Sequence, residues 1–129
     1  MPLTIYQYPK CSTCKQALAW LKKNQIAFTA IDLVEHPPSR TTLEAAQQRA
    51  GVPVKKLFNV AGASYRDGDF KTKLGSMTDA QAFAALAKDG KLIKRPLVVG
   101  DDLALVGFDE EAWTKALSEP TKRGRSGPG

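Results

Sequence analysis

Within its first 33 residues the chain spells strand, helix, strand, and a pair of cysteines stands at the first junction. Residues 3–8 read as a strand, because Leu3, Ile5, Tyr6 and Tyr8 carry β-type side chains and Pro9 stops the run. The spacing of Ala17, Leu18, Trp20 and Leu21 predicts a helix over 12–24, with Lys15, Lys22 and Lys23 on its other positions. A second strand follows over 26–33. This is the length of a parallel βαβ unit, and its right-handed crossover commits the helix to one face of the sheet.

The remainder changes character. His36-Pro37-Pro38 interrupts the pattern, and Thr41 with Glu44 has the form of a capping box opening a helix that ends near Gly51. Residues 54–58 suit another short helix, and 59–76 read as irregular, punctuated by Gly62, Gly68 and Gly75. Thr78 with Gln81 opens a patterned helix whose Ala82, Phe83, Leu86 and Ala87 face the core, and Gly90 stops it. Residues 97–99 and 103–106 predict an antiparallel hairpin around Gly100-Asp101-Asp102. Asp109 then caps a last helix, through about Leu117, with Ala112, Trp113 and Leu117 on its apolar side. Setting aside the helical block at about 37–90 leaves a four-stranded mixed sheet with helices. The expected fold is therefore α/β and thioredoxin-like, with a helical insertion between the second and third strands. It is one domain over residues 1–118, followed by a flexible basic tail over 119–129.

Composition agrees with one domain. Of 129 residues, 43% are hydrophobic and 25% charged, and a chain of this length buries roughly two-thirds of its unfolded surface without disulfide or metal staples. The net charge of +6 owes three cations to Lys122, Arg123 and Arg125 in the tail, so the folded part is only mildly basic. The pairs Lys22/Lys23 and Lys55/Lys56 read as solvated helix faces rather than a nucleic-acid surface. The Met-Pro-Leu-Thr-Ile-Tyr start lacks a basic n-region before an apolar run, and no run approaches the roughly 18 apolar residues of a membrane span. A cytoplasmic monomer, with no direct nucleic-acid or membrane partner, is the expectation. In that compartment two thiols point to chemistry rather than a static disulfide.

Cys11-Ser12-Thr13-Cys14 carries the strongest chemical signal. Between strand and helix, Cys11 meets the helix N-terminus, where the macrodipole and free backbone N–H groups favour a thiolate, and Lys10 and Lys15 add positive charge. Cys14, one turn on, can attack a mixed disulfide held on Cys11. A dithiol redox site follows from this placement; an inert buried pair, or a metal site, are the competing readings. Structural zinc wants four ligands, against two cysteines and His36 here, so no metal is expected. His36, alone in a loop, is not assigned a catalytic role, and Trp20 and Trp113 fall on apolar helix faces as core residues. Lys94-Arg95-Pro96 precedes a strand, where a proline is unusual. A cis Arg95–Pro96 bond at that point would present the Arg95 guanidinium to the Cys11 loop as an anion clamp; a plain surface arginine is the alternative.

Tyr-Pro-Lys-Cys-Ser-Thr-Cys-Lys at residues 8–15, Val-Lys-Lys-Leu-Phe-Asn at 54–59, Tyr65-Arg66, Arg95-Pro96-Leu-Val-Val and Val106-Gly107 together resemble the arsenate reductase (ArsC) and Spx family. The resemblance spans about residues 3–117 and is closest to the arsenate-reductase-like branch that carries Cys-x-x-Cys. It implies a thiol-dependent oxidoreductase in which Cys11 attacks, Cys14 resolves and Arg95 orients an anionic substrate, with Ser12, Thr13, Lys15 and Pro96 around the substrate. No cofactor is expected to be bound. Glutathione, glutaredoxin or thioredoxin would supply electrons, and the partner would be a redox protein or a small anionic or thiol substrate. Glutaredoxin-dependent arsenate reductases hold arsenate with three arginines; Arg95 matches one, Asn59 and Phe108 stand at the others, and Arg66 is nearby. Cys14 stands where those reductases have a hydroxyl residue. Spx regulators carry a Cys-x-x-Cys switch and bind the RNA polymerase α subunit, which gives the alternative function of a redox-sensing regulator.

Overall fold

The computed structural model describes residues 3–117. The basic tail expected over 119–129 lies outside the described residues. Four strands, β1 (Leu3–Gln7), β2 (Phe28–Asp32), β3 (Leu97–Val99) and β4 (Ala104–Val106), form one mixed sheet in the order β2-β1-β3-β4. β1 runs parallel to β2 and antiparallel to β3, and β3 runs antiparallel to β4. Among the described residues six α-helices accompany the sheet: α1 (Ser12–Lys23), α2 (Arg40–Ala50), α3 (Ala63–Asp67), α4 (Phe70–Lys73), α5 (Asp79–Lys88) and α6 (Glu110–Leu117). The predicted α/β plan is present, with α2 to α5 inserted between β2 and β3.

Strand alternation explains why the sheet supports two cores. Successive side chains of a strand point to opposite faces. On β3, Leu97 joins one cluster with Leu33, Leu43, Phe58, Phe83 and Leu86, under the inserted helices. Its neighbour Val98 joins the other, with Ile5, Leu21, Trp113 and Leu117, under α1 and α6. Burying a leucine or phenylalanine contributes roughly 1.5–3 kcal/mol, so two filled faces hold the central strands β1 and β3 more firmly than one would.

The elements differ from the sequence expectations in specific ways. Ser39, not Thr41, caps α2: its side chain accepts from the Thr42 N–H at 3.2 Å. Gly51 ends that helix in the left-handed conformation, φ 68°, as expected of a glycine terminator. The segment at 59–76 is not irregular, because α3 and α4 form within it. Tyr65 and Phe70 stack on one another at 6.0 Å and pack on Phe58, which anchors two helices too short to stand alone. Residues 54–58 form a 3₁₀ turn, Val54–Leu57, rather than an α-helix.

Thr78 and Gln81 form the predicted capping box, with both reciprocal bonds made, but α5 ends at Lys88 ahead of Gly90. Gly90 serves packing instead: a Cβ there would lie 1.9 Å from the Leu33 carbonyl oxygen. On α6, Asp109 accepts from the Glu111 and Ala112 amides as a cap, while Ala112 is exposed and Ala116 takes the expected inner position. Among the described residues no helix is long and apolar enough to cross a membrane.

Candidate functional site

Cys11 is the N-cap of α1, in extended backbone conformation, and its Sγ accepts from the Cys14 N–H at 3.2 Å. A cap residue must satisfy free amide donors of the first turn, and here a thiol sulfur does so. The first turn holds no acidic residue to offset the positive helix end. Cys14, one turn on, is fully buried, and its Sγ accepts from the Tyr8 N–H at 3.5 Å. Both cysteines are free thiols.

Their surroundings divide the two thiols chemically. Burial pushes the Cys11 thiol up, but hydrogen bonds from the Cys14 side chain and backbone, then the hydrogen bond and charge of Arg95, together bring it below the ordinary thiol value. Cys14 moves the other way overall: burial raises it, its hydrogen bond to Cys11 and the Cys11 charge reinforce that, and its thiol is pushed up to about 12. Cys11 is thus suited to ionise and attack, while Cys14 keeps its proton. Once Cys11 sulfur is tied into a mixed disulfide, its negative charge is gone. Two of the causes that hold Cys14 protonated then vanish together, so the second thiol becomes easier to ionise only after the first has reacted.

Arg95 reaches the site through the sheet. Tyr6 pairs with Leu97 across β1 and β3. Continuing that antiparallel register by two residues sets Arg95 opposite Tyr8, and the guanidinium lies over the Tyr8 ring, 4.9 Å from its centroid. The Arg95–Pro96 bond is cis. Pro96 is buried, and its carbonyl accepts from the Gly107 N–H at 2.8 Å, with Gly107 at φ 76°. That contact turns the chain after β4 back toward α1. Phe108 then packs edge-on against Trp113 at 4.8 Å and Trp20 at 6.4 Å.

A cavity of about 460 Å³ opens at Cys11, lined also by Thr13, Asn59, Lys94, Arg95 and Phe108 with residues 106, 107 and 109. Of the residues singled out from sequence, Cys11, Thr13 and Arg95 meet there, and Asn59 and Phe108 lie beside them. Ser12 and Lys15 are exposed and do not line it, and Pro96 acts through the backbone. Arg66 is exposed on α3 and His36 follows β2, both outside the cavity. Sequence reading missed two members. Lys94 brings a second cation to the cavity, and its adjacency to Arg95 was the available signal. Asp109 was legible only as a helix cap, yet it brings the sole carboxylate to the lining.

The sequence profile of the ArsC family matches residues 6–116. An uncharacterized protein, YusI, of Bacillus subtilis (strain 168) is 41% identical over 113 residues, covering 88% of this chain and 96% of its own. An arsenate reductase of Rhizobium meliloti (strain 1021) is 32% identical over 102 residues, covering 77% and 69%. Among solved structures, a putative ArsC family related protein from Bacteroides fragilis superposes with a TM-score of 0.86 at 43% identity, covering 89% of this chain and 97% of that one. The family match runs from β1 through the inserted helices into α6, and the chain belongs to the ArsC family.

Proposed function

We propose that this chain is a thiol–disulfide oxidoreductase that works through Cys11 and Cys14. The observation that carries the reading is the arrangement of the two thiols. Cys11 caps α1 and accepts from the Cys14 N–H at 3.2 Å, with Arg95 beside it, while Cys14 is fully buried one turn on. The Cys14 hydrogen bonds and then Arg95 thereby lower Cys11, and burial raises Cys14 to about 12. The Cys11 thiolate attacks one sulfur of a substrate disulfide, forming a Cys11–substrate bond while the other sulfur departs with the electron pair as a thiolate. Cys14 then loses its proton and attacks the Cys11 sulfur, forming the internal disulfide and releasing the second substrate thiolate. The substrate is reduced by two electrons and the protein oxidised by two; glutathione, glutaredoxin or thioredoxin is the class of donor that returns them. Arg95 stabilises the thiolate and orients anionic groups near it. The test uses a small neutral disulfide. Cys11→Ser is expected to abolish exchange, whereas Cys14→Ser accumulates a mixed disulfide on Cys11. Unchanged turnover in Cys14→Ser would rule out the internal resolving step.

Arsenate reduction is the second reading, supported by the arsenate reductase relative and by the two cations lining the Cys11 cavity. Asn59 and Phe108 weigh against it, since each supplies no charge where a clamp on an oxyanion is wanted. Arsenate-dependent loss of NADPH in a glutathione and glutaredoxin coupled assay would establish it, and no such loss would exclude it.

A further inference from the structure

A groove of about 450 Å³ continues from the Cys11 cavity, sharing Lys94 and Val106 with it. That volume is in the range of binding sites rather than of packing defects. Phe58, Val60, Tyr65 and Leu74 give it an apolar floor. Val60 is the one large apolar side chain among the described residues that is widely exposed, at 59%. Leaving such a side chain in water forgoes burial that covering it would recover.

The rim is cationic. Lys55 and Lys56, from the 3₁₀ turn, and Lys94, before β3, border the groove, and no aspartate or glutamate lines it. The only ion pair among the described residues joins Arg40 to Glu44, so no carboxylate here neutralises the three lysines. A simple oxyanion would use the lysines and leave the floor uncovered. A nucleic-acid base would want a free aromatic face, and Tyr65 already stacks on Phe70.

We propose that this groove binds an extended peptide segment flanking the reactive cysteine of a partner protein, a segment that combines apolar side chains with carboxylates. The proposal rests on the thiol–disulfide reading and names its substrate class. The apolar side chains cover Val60 and the floor, the carboxylates meet Lys55, Lys56 and Lys94, and the shared Lys94 edge leads the cysteine to Cys11. Exposed charge pairs also steer encounter, so recognition should appear in the rate of attack and weaken with salt.

The test uses full-length Cys14→Ser protein and short cysteine peptides activated as mixed disulfides with 5-thio-2-nitrobenzoate. Attack by Cys11 at the peptide sulfur joins the peptide to the protein and releases the coloured thiolate, whose appearance gives the rate. Three peptides of one length are compared: apolar with acidic residues, apolar with basic residues, and serine-rich with acidic residues. Mercaptoethanol activated in the same way reports the bare chemistry. At low salt the acidic apolar peptide is expected to react roughly tenfold faster than the basic one, as two or three exposed charge contacts would give. The serine-rich acidic peptide should fall between them. In the same background Lys55→Glu with Lys56→Glu leaves the rim with one lysine and two glutamates and abolishes or reverses the charge preference, and Val60→Asp slows the acidic apolar peptide, while the mercaptoethanol rate stays the same. Equal rates for the three peptides, or a preference untouched by these variants, would overturn the proposal while leaving the thiol reading intact. If activated mercaptoethanol also fails to react, the thiol reading fails and the groove proposal falls with it.

Discussion

Replacing Arg95 with Ala takes away both a hydrogen bond and a positive charge that favour the Cys11 thiolate, and the consequence differs on the two sides of the thiol titration. Arg95 is only partly buried, so its contribution lies near the exposed end of ion-pair energies, about 1 kcal/mol rather than the 1.5–3 of a well-buried charged hydrogen bond. One kcal/mol corresponds to about a fivefold fall in the ratio of thiolate to thiol. The thiolate that does form is more basic and so more nucleophilic, with a Brønsted slope of about 0.4–0.5 that returns roughly half of the loss on a logarithmic scale. Below the titration, Arg95→Ala should therefore react about twofold more slowly with a small neutral alkylating agent such as iodoacetamide. Above it, where both proteins are ionised, the variant should react about twofold faster. The assay is the alkylation rate of Cys11 across pH in a Cys14→Ser background, with mass spectrometry to confirm the site. Crossing curves are the signature of a tuned thiolate. A variant slower at every pH, or identical to the parent at every pH, would refute the assignment of Arg95 to the Cys11 thiolate.

Further expectations concern the scaffold that holds this site. Gly90→Ala drives a methyl group into the Leu33 carbonyl oxygen, 1.9 Å from the Cβ position, and is expected to cost about 2 kcal/mol or more in denaturant unfolding; a change under about 0.5 would contradict that close approach. Thr78→Ala breaks the capping box on α5, and Ser39→Ala removes the cap on α2, each at about 1 kcal/mol, whereas Thr41→Ala should be nearly silent by the same measurement. On the reactive side, raising pH should speed the resolving step in the parent protein as Cys14 begins to ionise, because its proton is held up to about 12 until the Cys11 charge is lost. Stopped-flow detection of thiol release would show that acceleration, and a pH-independent second step would count against Cys14 as the resolving group.

Local signals were the ones legible in the sequence. Cys11 follows a strand and opens a helix, so the part of its chemistry set by the helix end depends on neighbours only a few residues away and could be read directly. The strand pattern and the Thr78–Gln81 box were equally local. Ser39 was hidden by a better-looking pattern: Thr41 with Glu44 has the form of a capping box, but Glu44 instead lies 3.7 Å from Arg40 along the exposed side of α2. Helices α3 and α4 were hidden because their hold on the protein is tertiary, through Phe58, and their sequence is broken by glycines. The cavity was partly legible. Arg95 could be suspected from its proline, but only the β1–β3 pairing, joining residues some ninety positions apart, brings it over Tyr8. Asp109 enters the lining through the turn at Gly107, held to the Pro96 carbonyl, and Lys94 through its amide bond to the Leu57 carbonyl at 2.7 Å, contacts that no spacing rule encodes.

The central claim is that Cys11 and Cys14 form one reversible redox couple, and the most direct measurement is the thiol count and intact mass of the purified protein across a glutathione redox series. The expected result is loss of both thiols in a single two-electron transition, with a midpoint of roughly −270 to −200 mV, the span of thioredoxins and glutaredoxins. Cys14→Ser in the same series should take up one glutathione, on Cys11. Two free thiols at every poise, or glutathione found on Cys14 instead, would contradict the account.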